Sequence, residues 1–184
     1  MREAASGSVI RVPGFLMLIS LSGLPGTGKS TVATLAASEM GAVYVRIDSI
    51  EQPMFRAGLA VEGIGYEVAQ AVASDNLMLG HLVVADCVNP WPLTRDAWRA
   101  LGQRLGVRVV EIEFVCSDAT EHRRRVEARH LADPRWPTWQ NVLDRDYRPW
   151  QRERVVIDTA HVGVERAVAA LVSTARKKSS ADLG

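Results

Sequence analysis

The octapeptide GLPGTGKS occupies residues 23–30, after an apolar run and before a stretch of helical character. Its spacing, G-x-x-x-x-G-K-[ST], is that of a Walker A loop. The glycines permit backbone conformations closed to other residues, so that successive N–H groups can surround an anion. We therefore predict that nucleotide phosphates bind at the following residues: Gly23, Pro25, Gly26, Thr27, Gly28, Lys29 and Ser30.

Two side chains of this loop carry predicted chemical roles. A helix beginning near Lys29 would add its N-terminal partial positive charge to the site. The Lys29 ammonium would reach the β- and γ-phosphates, and the Ser30 hydroxyl would face Mg²⁺. We expect the ammonium to face solvent, so that the loss of Lys29 abolishes nucleotide turnover without harming the fold.

Outward from the loop, short apolar runs alternate with longer amphipathic stretches. Predicted strands cover 16–22, 42–47, 82–85, 107–115 and 155–157. Predicted helices cover 29–40, 66–79, 94–105, 118–130 and 164–176. This alternation predicts an α/β fold, with a doubly wound parallel sheet of five strands and helices on both faces. Residues 49–65 are predicted as mixed structure, since Pro53 and three glycines interrupt them.

The chain length fits one domain, which we place at residues 15–176 with a lid at about 119–150. Residues 1–14 and 177–184 are predicted to be flexible tails. No apolar stretch is long enough to cross a bilayer. With two unpaired cysteines predicted to be reduced, we expect a cytoplasmic protein.

Three aspartates follow predicted strands, and ligands of open α/β sheets bind beyond those strand ends. Asp48 is a candidate base for an attacking hydroxyl, or alternatively an N-cap. Asp86 closes an apolar run as a Walker B acid does, which suggests a Mg²⁺ role, with a turn or cap as the alternative. Asp158 is interpreted as a turn or cap. Further candidates for substrate contact at these ends are Arg46, Glu51, Asn89 and Arg95.

The segment SDATEHRRRVEARH at 117–130 is predicted as a helix that is polar on nearly all sides and projects from the core. It is either a solvated helix with Glu–Arg pairs or a lid whose arginines close on the transferring phosphate. Arg125 and Arg129 are the candidate arginines. The aromatic residues that follow either pack the lid or frame a planar ligand. They are Trp136, Trp139, Tyr147 and Trp150.

With GLPGTGKST, an aspartate after the second strand and the R-x-x-x-R pair at Arg125 and Arg129, the sequence resembles the P-loop kinases often named AAA-type ATP-binding proteins. Relatives of that group include polynucleotide kinase, gluconate kinase, chloramphenicol phosphotransferase and zeta toxin. The resemblance covers about 15–175 and implies the strand order 2-3-1-4-5, a mobile lid, a further phosphate contact at Thr31, Asp48 as base and the two lid arginines. Cys87 after Asp86 argues against a ring ATPase, in which a Walker B motif ends in Asp-Glu.

These observations predict an ATP- and Mg²⁺-dependent kinase, a transferase that phosphorylates a hydroxyl of a small polar substrate. A nucleotide-binding switch or ATPase module is the alternative from another class. A nucleic-acid 5′-hydroxyl kinase or toxin-type kinase is a third, against which the net charge of +1 weighs. The same charge gives no reason to expect attachment to a membrane. The acceptor and the oligomeric state stay open.

Overall fold

A computed structural model describes residues 16–180, so the predicted tail at 1–14 lies outside the described residues. The strands are β1 (Met17–Ser22), β2 (Val43–Arg46), β3 (Val83–Asp86), β4 (Arg108–Val115) and β5 (Val155–Asp158). All strand pairs are parallel, and the sheet order is β2-β3-β1-β4-β5. The predicted parallel sheet and its order 2-3-1-4-5 are confirmed.

Helices cover both faces of this sheet. They are α1 (Lys29–Met40), α2 (Ile47–Arg56), α3 (Ile64–Met78), α4 (Pro92–Leu105), α5 (Ala119–Ala132), α6 (Trp139–Leu143) and α7 (Val164–Ser180). The helix α1 begins at Lys29 and ends at Met40, as the sequence predicts. The closing helix runs past its predicted end at 176.

The alternation of side chains along each strand divides the core into two layers. Ile19 of β1 and Val84 of β3 point to one face, where α1 and α7 pack over them. Leu18 and Val83 point to the opposite face, which is covered by α3 and α4. Every residue of β1 is buried, because this strand lies at the centre of the sheet with helices on both sides.

The prediction of mixed structure at 49–65 is wrong in its first half, where α2 forms. Ile47 and Ile50 lie three residues apart and belong to the core layer under α3, which supports one face of this helix. Pro53 lies inside α2 and removes one backbone donor. Packing against α3 outweighs that loss, and this tertiary contribution does not show in the local sequence.

Arg95 of α4 fixes the chain that follows α6. Its side chain is 2% exposed, and its guanidinium donates to the carbonyl oxygens of Asn89, Pro90 and Arg148. The guanidinium carbon lies 4.3 Å from the Trp150 ring centroid and 5.0 Å from that of Tyr147. These aromatic residues therefore pack the structure, one of the two predicted alternatives.

Replacing this anchor should destabilise the protein, because Arg95→Met keeps most of the volume but leaves buried carbonyl oxygens without donors. We expect the free energy of unfolding to fall by at least about 2 kcal/mol. The matched control is Arg99→Met, one turn along α4 at an exposed position, which should change it by less than about 0.5 kcal/mol. Urea denaturation of both variants measures the difference, and equal effects would contradict the anchoring role of Arg95.

Candidate active site

The carboxyl ends of the strands place the loops of the site beside one another. Parallel pairing sets Arg46 at the end of β2 opposite Asp86 at the end of β3, and Asp86 opposite Leu21 of β1. The glycine-rich loop leaves β1 at the centre of the sheet. The predicted phosphate loop, Asp86 and the start of α2 are therefore neighbours by strand order alone, as expected for an open α/β sheet.

The glycine-rich loop has the backbone that its sequence predicts. Gly23, Gly26 and Gly28 have φ values of 141°, 87° and 79°, in the region that favours glycine. Gly28 is the N-cap residue of α1 and has no side chain to occupy the helix terminus. The first N–H groups of α1 are thus open to an anion, which the helix dipole favours.

Lys29 and Asp86 form a buried ion pair across adjacent elements. The Lys29 ammonium donates to Asp86 Oδ1 at 2.5 Å, and Lys29 is 9% exposed. Our expectation of a solvent-facing ammonium is therefore wrong, since the start of α1 lies directly against the end of β3. An ammonium has three donors, so two are left for phosphate oxygens after the bond to Asp86.

Asp86 is held as a carboxylate by its surroundings. Burial would raise its pKa, but the Lys29 charge and hydrogen bonds from Lys29, Tyr44 and Ser30 hold the pKa below its ordinary value. Tyr44 donates its phenol to Asp86 Oδ2 at 2.6 Å, and burial and the Asp86 charge raise the pKa of Tyr44. The tyrosine therefore acts as a donor here and fixes the direction of the carboxylate.

Asp48 lies in the first turn of α2, two residues after the last residue of β2. Arg46, not Asp48, is the N-cap residue of this helix, so the alternative interpretation of Asp48 as a cap is wrong. Arg46 Nη2 donates to Asp48 Oδ2 at 2.7 Å, and its Nε lies 3.7 Å from Asp86 Oδ2. Arg46 therefore links the two carboxylates.

Glu51 lies one turn after Asp48 on α2. Burial and the nearby Asp48 charge raise its pKa, which Arg145 partly opposes. A Cβ built on Gly65 would lie 2.4 Å from Glu51 Cγ, so α3 packs closely on this side chain. Glu51 is half-buried beside the site, where its predicted role in substrate contact stays a prediction.

The charged helix α5 does not project from the core as predicted, because a narrow face of it packs on the glycine-rich loop. His122 Nε2 donates to the carbonyl oxygen of Pro25 at 2.7 Å. Val126 is 2% exposed, and a Cβ on Gly26 would lie 2.4 Å from its Cγ2. The helix thus lies in direct contact with the loop, a contact that only glycine at position 26 permits.

Arg125 ties α5 to the loop after β5. Its Nη1 donates to Thr159 Oγ1 at 2.8 Å and its Nη2 to the Thr159 carbonyl oxygen at 3.0 Å. Thr159 in turn donates its hydroxyl to the carbonyl oxygen of Thr27 at 2.8 Å. Glu121 accepts from Arg125 Nε at 2.7 Å, so this helix does contain a Glu–Arg pair of the kind expected of it. This chain of bonds braces the glycine-rich loop from the side opposite Asp86.

Arg129 lies further along α5 and reaches the other end of the site. Its guanidinium carbon is 3.4 Å from the Trp136 ring centroid, and that of Arg46 is 5.6 Å from the same ring. Burial and the Arg46 charge lower the pKa of Arg129, while Asp48 and Asp86 oppose this shift. Arg129 therefore shares its electrostatic surroundings with Asp48, the candidate base, and Asp86, the candidate Mg²⁺ ligand.

Asn89 and Arg95, predicted as substrate contacts, are placed in the interior. Asn89 is 0% exposed and donates to Ser20 Oγ and the Leu21 carbonyl oxygen. Arg95 is bonded to backbone carbonyls, as described above. This placement argues against the predicted role of both, because a strand end marks where a residue lies but not which way its side chain points.

Three residues of the site were not identified from the sequence as site residues: Tyr44, His122 and Thr159. Each acts through a partner distant in the chain, so no local spacing marks it. Asp158 does have the predicted turn role, since its Oδ1 accepts from the backbone N–H groups of Ser117 and Ala160. The neighbouring threonine could have been suspected, because it follows a strand end.

The oxygen donors near Lys29 fit a magnesium ion bound together with nucleotide phosphates. Asp86 and the Ser30 hydroxyl lie close to each other, and Mg²⁺ prefers such hard oxygen ligands while keeping several waters. Among residues 16–180 no group of three His, Cys, Asp or Glu side chains forms a metal site by itself. No helix in that range is long and apolar enough to span a membrane.

Comparison with known proteins gives several relatives whose names describe kinases. Adenylyl-sulfate kinase of Geotalea uraniireducens (strain Rf4) is 27% identical over 180 residues, which cover 89% of this chain and 82% of the relative. The structure of Mycobacterium tuberculosis APS kinase with AMPPNP and APS matches with a TM-score of 0.68 at 17% identity, covering 85% of this chain and 95% of that one. A gluconokinase from Sinorhizobium meliloti 1021 matches with a TM-score of 0.61 at 18% identity, covering 90% and 95%. The two structures share the fold of this chain.

A family model described as "AAA domain" matches residues 18–145. The match covers well over half of the chain and includes the glycine-rich loop, Asp48, Asp86, Arg125 and Arg129. The resemblance to AAA-type P-loop proteins that the sequence suggested is thereby confirmed. The chain belongs to the AAA domain family.

Proposed function

We propose that this protein is an ATP-dependent kinase that transfers the γ-phosphate to a hydroxyl of a small polar substrate. The observation that carries the proposal is the arrangement of Asp48 and Arg46 beside the Lys29–Asp86 pair. The proton acceptor Asp48 is linked to the phosphate-binding Lys29 ammonium through Arg46 and Asp86. The adenylyl-sulfate kinase and gluconokinase names of the relatives support the same reaction class.

In this proposal ATP binds with its phosphates in the glycine-rich loop. The N–H groups at the start of α1 and the Lys29 ammonium neutralise the β- and γ-phosphates. Arg125 lies near the loop, since its Nη1 is 3.9 Å from a Cβ built on Gly28, and Arg129 lies near Asp86. Guanidinium groups at these positions stabilise the charge that develops on the transferring phosphoryl group.

Asp48 accepts the proton of the attacking hydroxyl. Arg46 holds its carboxylate in one orientation, which leaves the second oxygen free to face the acceptor. Ser30 and Asp86 would hold the magnesium ion, which neutralises phosphate charge when bound. Because Lys29 and Tyr44 keep Asp86 ionised, the carboxylate is ready for that role at neutral pH.

The proposal is tested by measuring ATP hydrolysis and ADP release with and without a library of hydroxyl-bearing metabolites. A kinase should show low turnover alone and strong stimulation by one compound or a related set, with the phosphorylated product detected by mass spectrometry. Turnover that no compound stimulates, together with tight nucleotide binding, would favour the nucleotide-binding switch instead.

Replacing the proposed base Asp48 distinguishes a kinase from a nucleotide-binding switch more sharply than the compound screen does. Asp48→Asn keeps the shape of the side chain but cannot accept a proton, so transfer to the acceptor should fall about 10²–10⁴-fold. The affinity for ATP, measured by calorimetry, should change little because the glycine-rich loop belongs to another strand end. Asp75→Asn on the exposed side of α3 is the matched control. Transfer by Asp48→Asn at the wild-type rate would remove Asp48 from the mechanism, and Glu51 would become the next candidate.

The contacts of α5 also narrow the proposed lid from 119–150 to a shorter segment. Its first half is fastened to the loop by His122 and Val126, and the chain at Arg148 is fastened to Pro90 and Arg95. Between these anchors, residues 133–136 are half-buried or exposed. We propose that closure on nucleotide involves residues 130–146.

Hydrogen exchange with and without AMPPNP and Mg²⁺ checks this lid. Amide protection should rise within 130–146 on addition of nucleotide, because all residues of that segment except Val142 are exposed or half-buried. Residues 119–126 should gain much less, and α4 serves as the unaffected control. Equal protection of 130–146 in both conditions, or a gain confined to 119–126, would contradict the proposed boundaries.

A further inference from the structure

A cavity of about 330 Å³ lies beside Asp48, between α2 and the segment that follows α5. Its size is that of a site for a small molecule. The charged and aromatic side chains among its lining residues are Arg46, Arg56, Arg135, Asp48, Asp133 and Trp136. The cavity thus lies next to the proposed base Asp48, and its walls come mainly from α2 and from the proposed lid.

The cavity carries more positive than negative charge. Both of its carboxylates are already paired, Asp48 with Arg46 and Asp133 with Arg135, each at 2.7 Å. Arg56, in the last turn of α2, has no ion pair with any carboxylate among residues 16–180. One guanidinium of the lining is therefore left without a counter-charge from the protein.

Arg129, which does not line the cavity, adds to its excess of positive charge. Trp136 lines the cavity, and the Arg129 guanidinium lies 3.4 Å from its ring centroid. The charge of Arg129 is therefore close to the cavity, although the indole separates the two. An indole beside two guanidiniums also presents an apolar flank, against which the carbon skeleton of a ligand can pack.

We propose that the acceptor is a hydroxyl compound that also carries an oxyanion. Its hydroxyl lies at Asp48, and its oxyanion is bound by Arg56 and Arg135. Guanidinium groups recognise oxyanions through paired hydrogen bonds, and the carboxylate at Asp48 repels an anion from the end where the hydroxyl must bind. This inference rests on the proposed kinase function and names its substrate class.

Inorganic phosphate serves as the probe of the oxyanion site. The protein is first saturated with AMPPNP and Mg²⁺, which occupies the glycine-rich loop, and is then titrated with phosphate by calorimetry. Arg56→Ala should weaken phosphate binding about tenfold, the effect of one charge-assisted hydrogen bond. Arg104→Ala is the matched control, because Arg104 is an exposed arginine in the last turn of α4. It should leave phosphate binding unchanged.

The outcomes separate this inference from the proposed function. A protein that binds AMPPNP but binds phosphate equally well with and without Arg56 would overturn the oxyanion site alone. A protein that fails to bind AMPPNP would overturn both. Among compounds that stimulate turnover, those bearing an oxyanion should dominate, and Arg56→Ala should raise their KM while changing kcat less than about twofold. A neutral compound as the best acceptor would also overturn the inference.

Discussion

The buried ion pair between Lys29 and Asp86 is the interaction on which the rest of the site depends. A charge removed from water is tolerated only when a partner and hydrogen bonds compensate it, and here the two partners come from different elements. The pair fixes the start of α1 against the end of β3. Tyr44 and Arg46 are directed at the same carboxylate, so the neighbouring strand β2 is aligned by it as well. The position of Asp48 on α2 follows from that alignment.

The fold was predictable from the sequence because its signals are local. An apolar strand, a glycine-rich loop and a helix occur in direct succession, and the alternation of strands and helices repeats through the chain. The α2 helix was missed because Pro53 opposes it locally, while the packing of Ile47 and Ile50 under α3 is a tertiary effect. Local patterns cannot report a contact whose other half lies far along the chain.

The site was predictable only where its residues follow a local pattern in the sequence. The residues of the glycine-rich loop follow a fixed spacing, whereas Thr159 and His122 reach the loop from elements more than ninety residues away. Some side chains at strand ends take the role that the sequence predicts, and others do not. Asp86 points into the site, but Asn89 and Arg95 turn inward and hold the backbone of neighbouring segments.

The close approach of Val126 to Gly26 has a consequence for how members of this family can exchange parts. A helix transplanted from a relative would contact this loop through the side chains at positions 122 and 126. A bulkier residue at either position would collide with the backbone at Gly26. A chimaera should therefore carry loop and helix together from one parent. The surface formed by Gly26, His122 and Val126 therefore marks where a junction between two parents should not be placed.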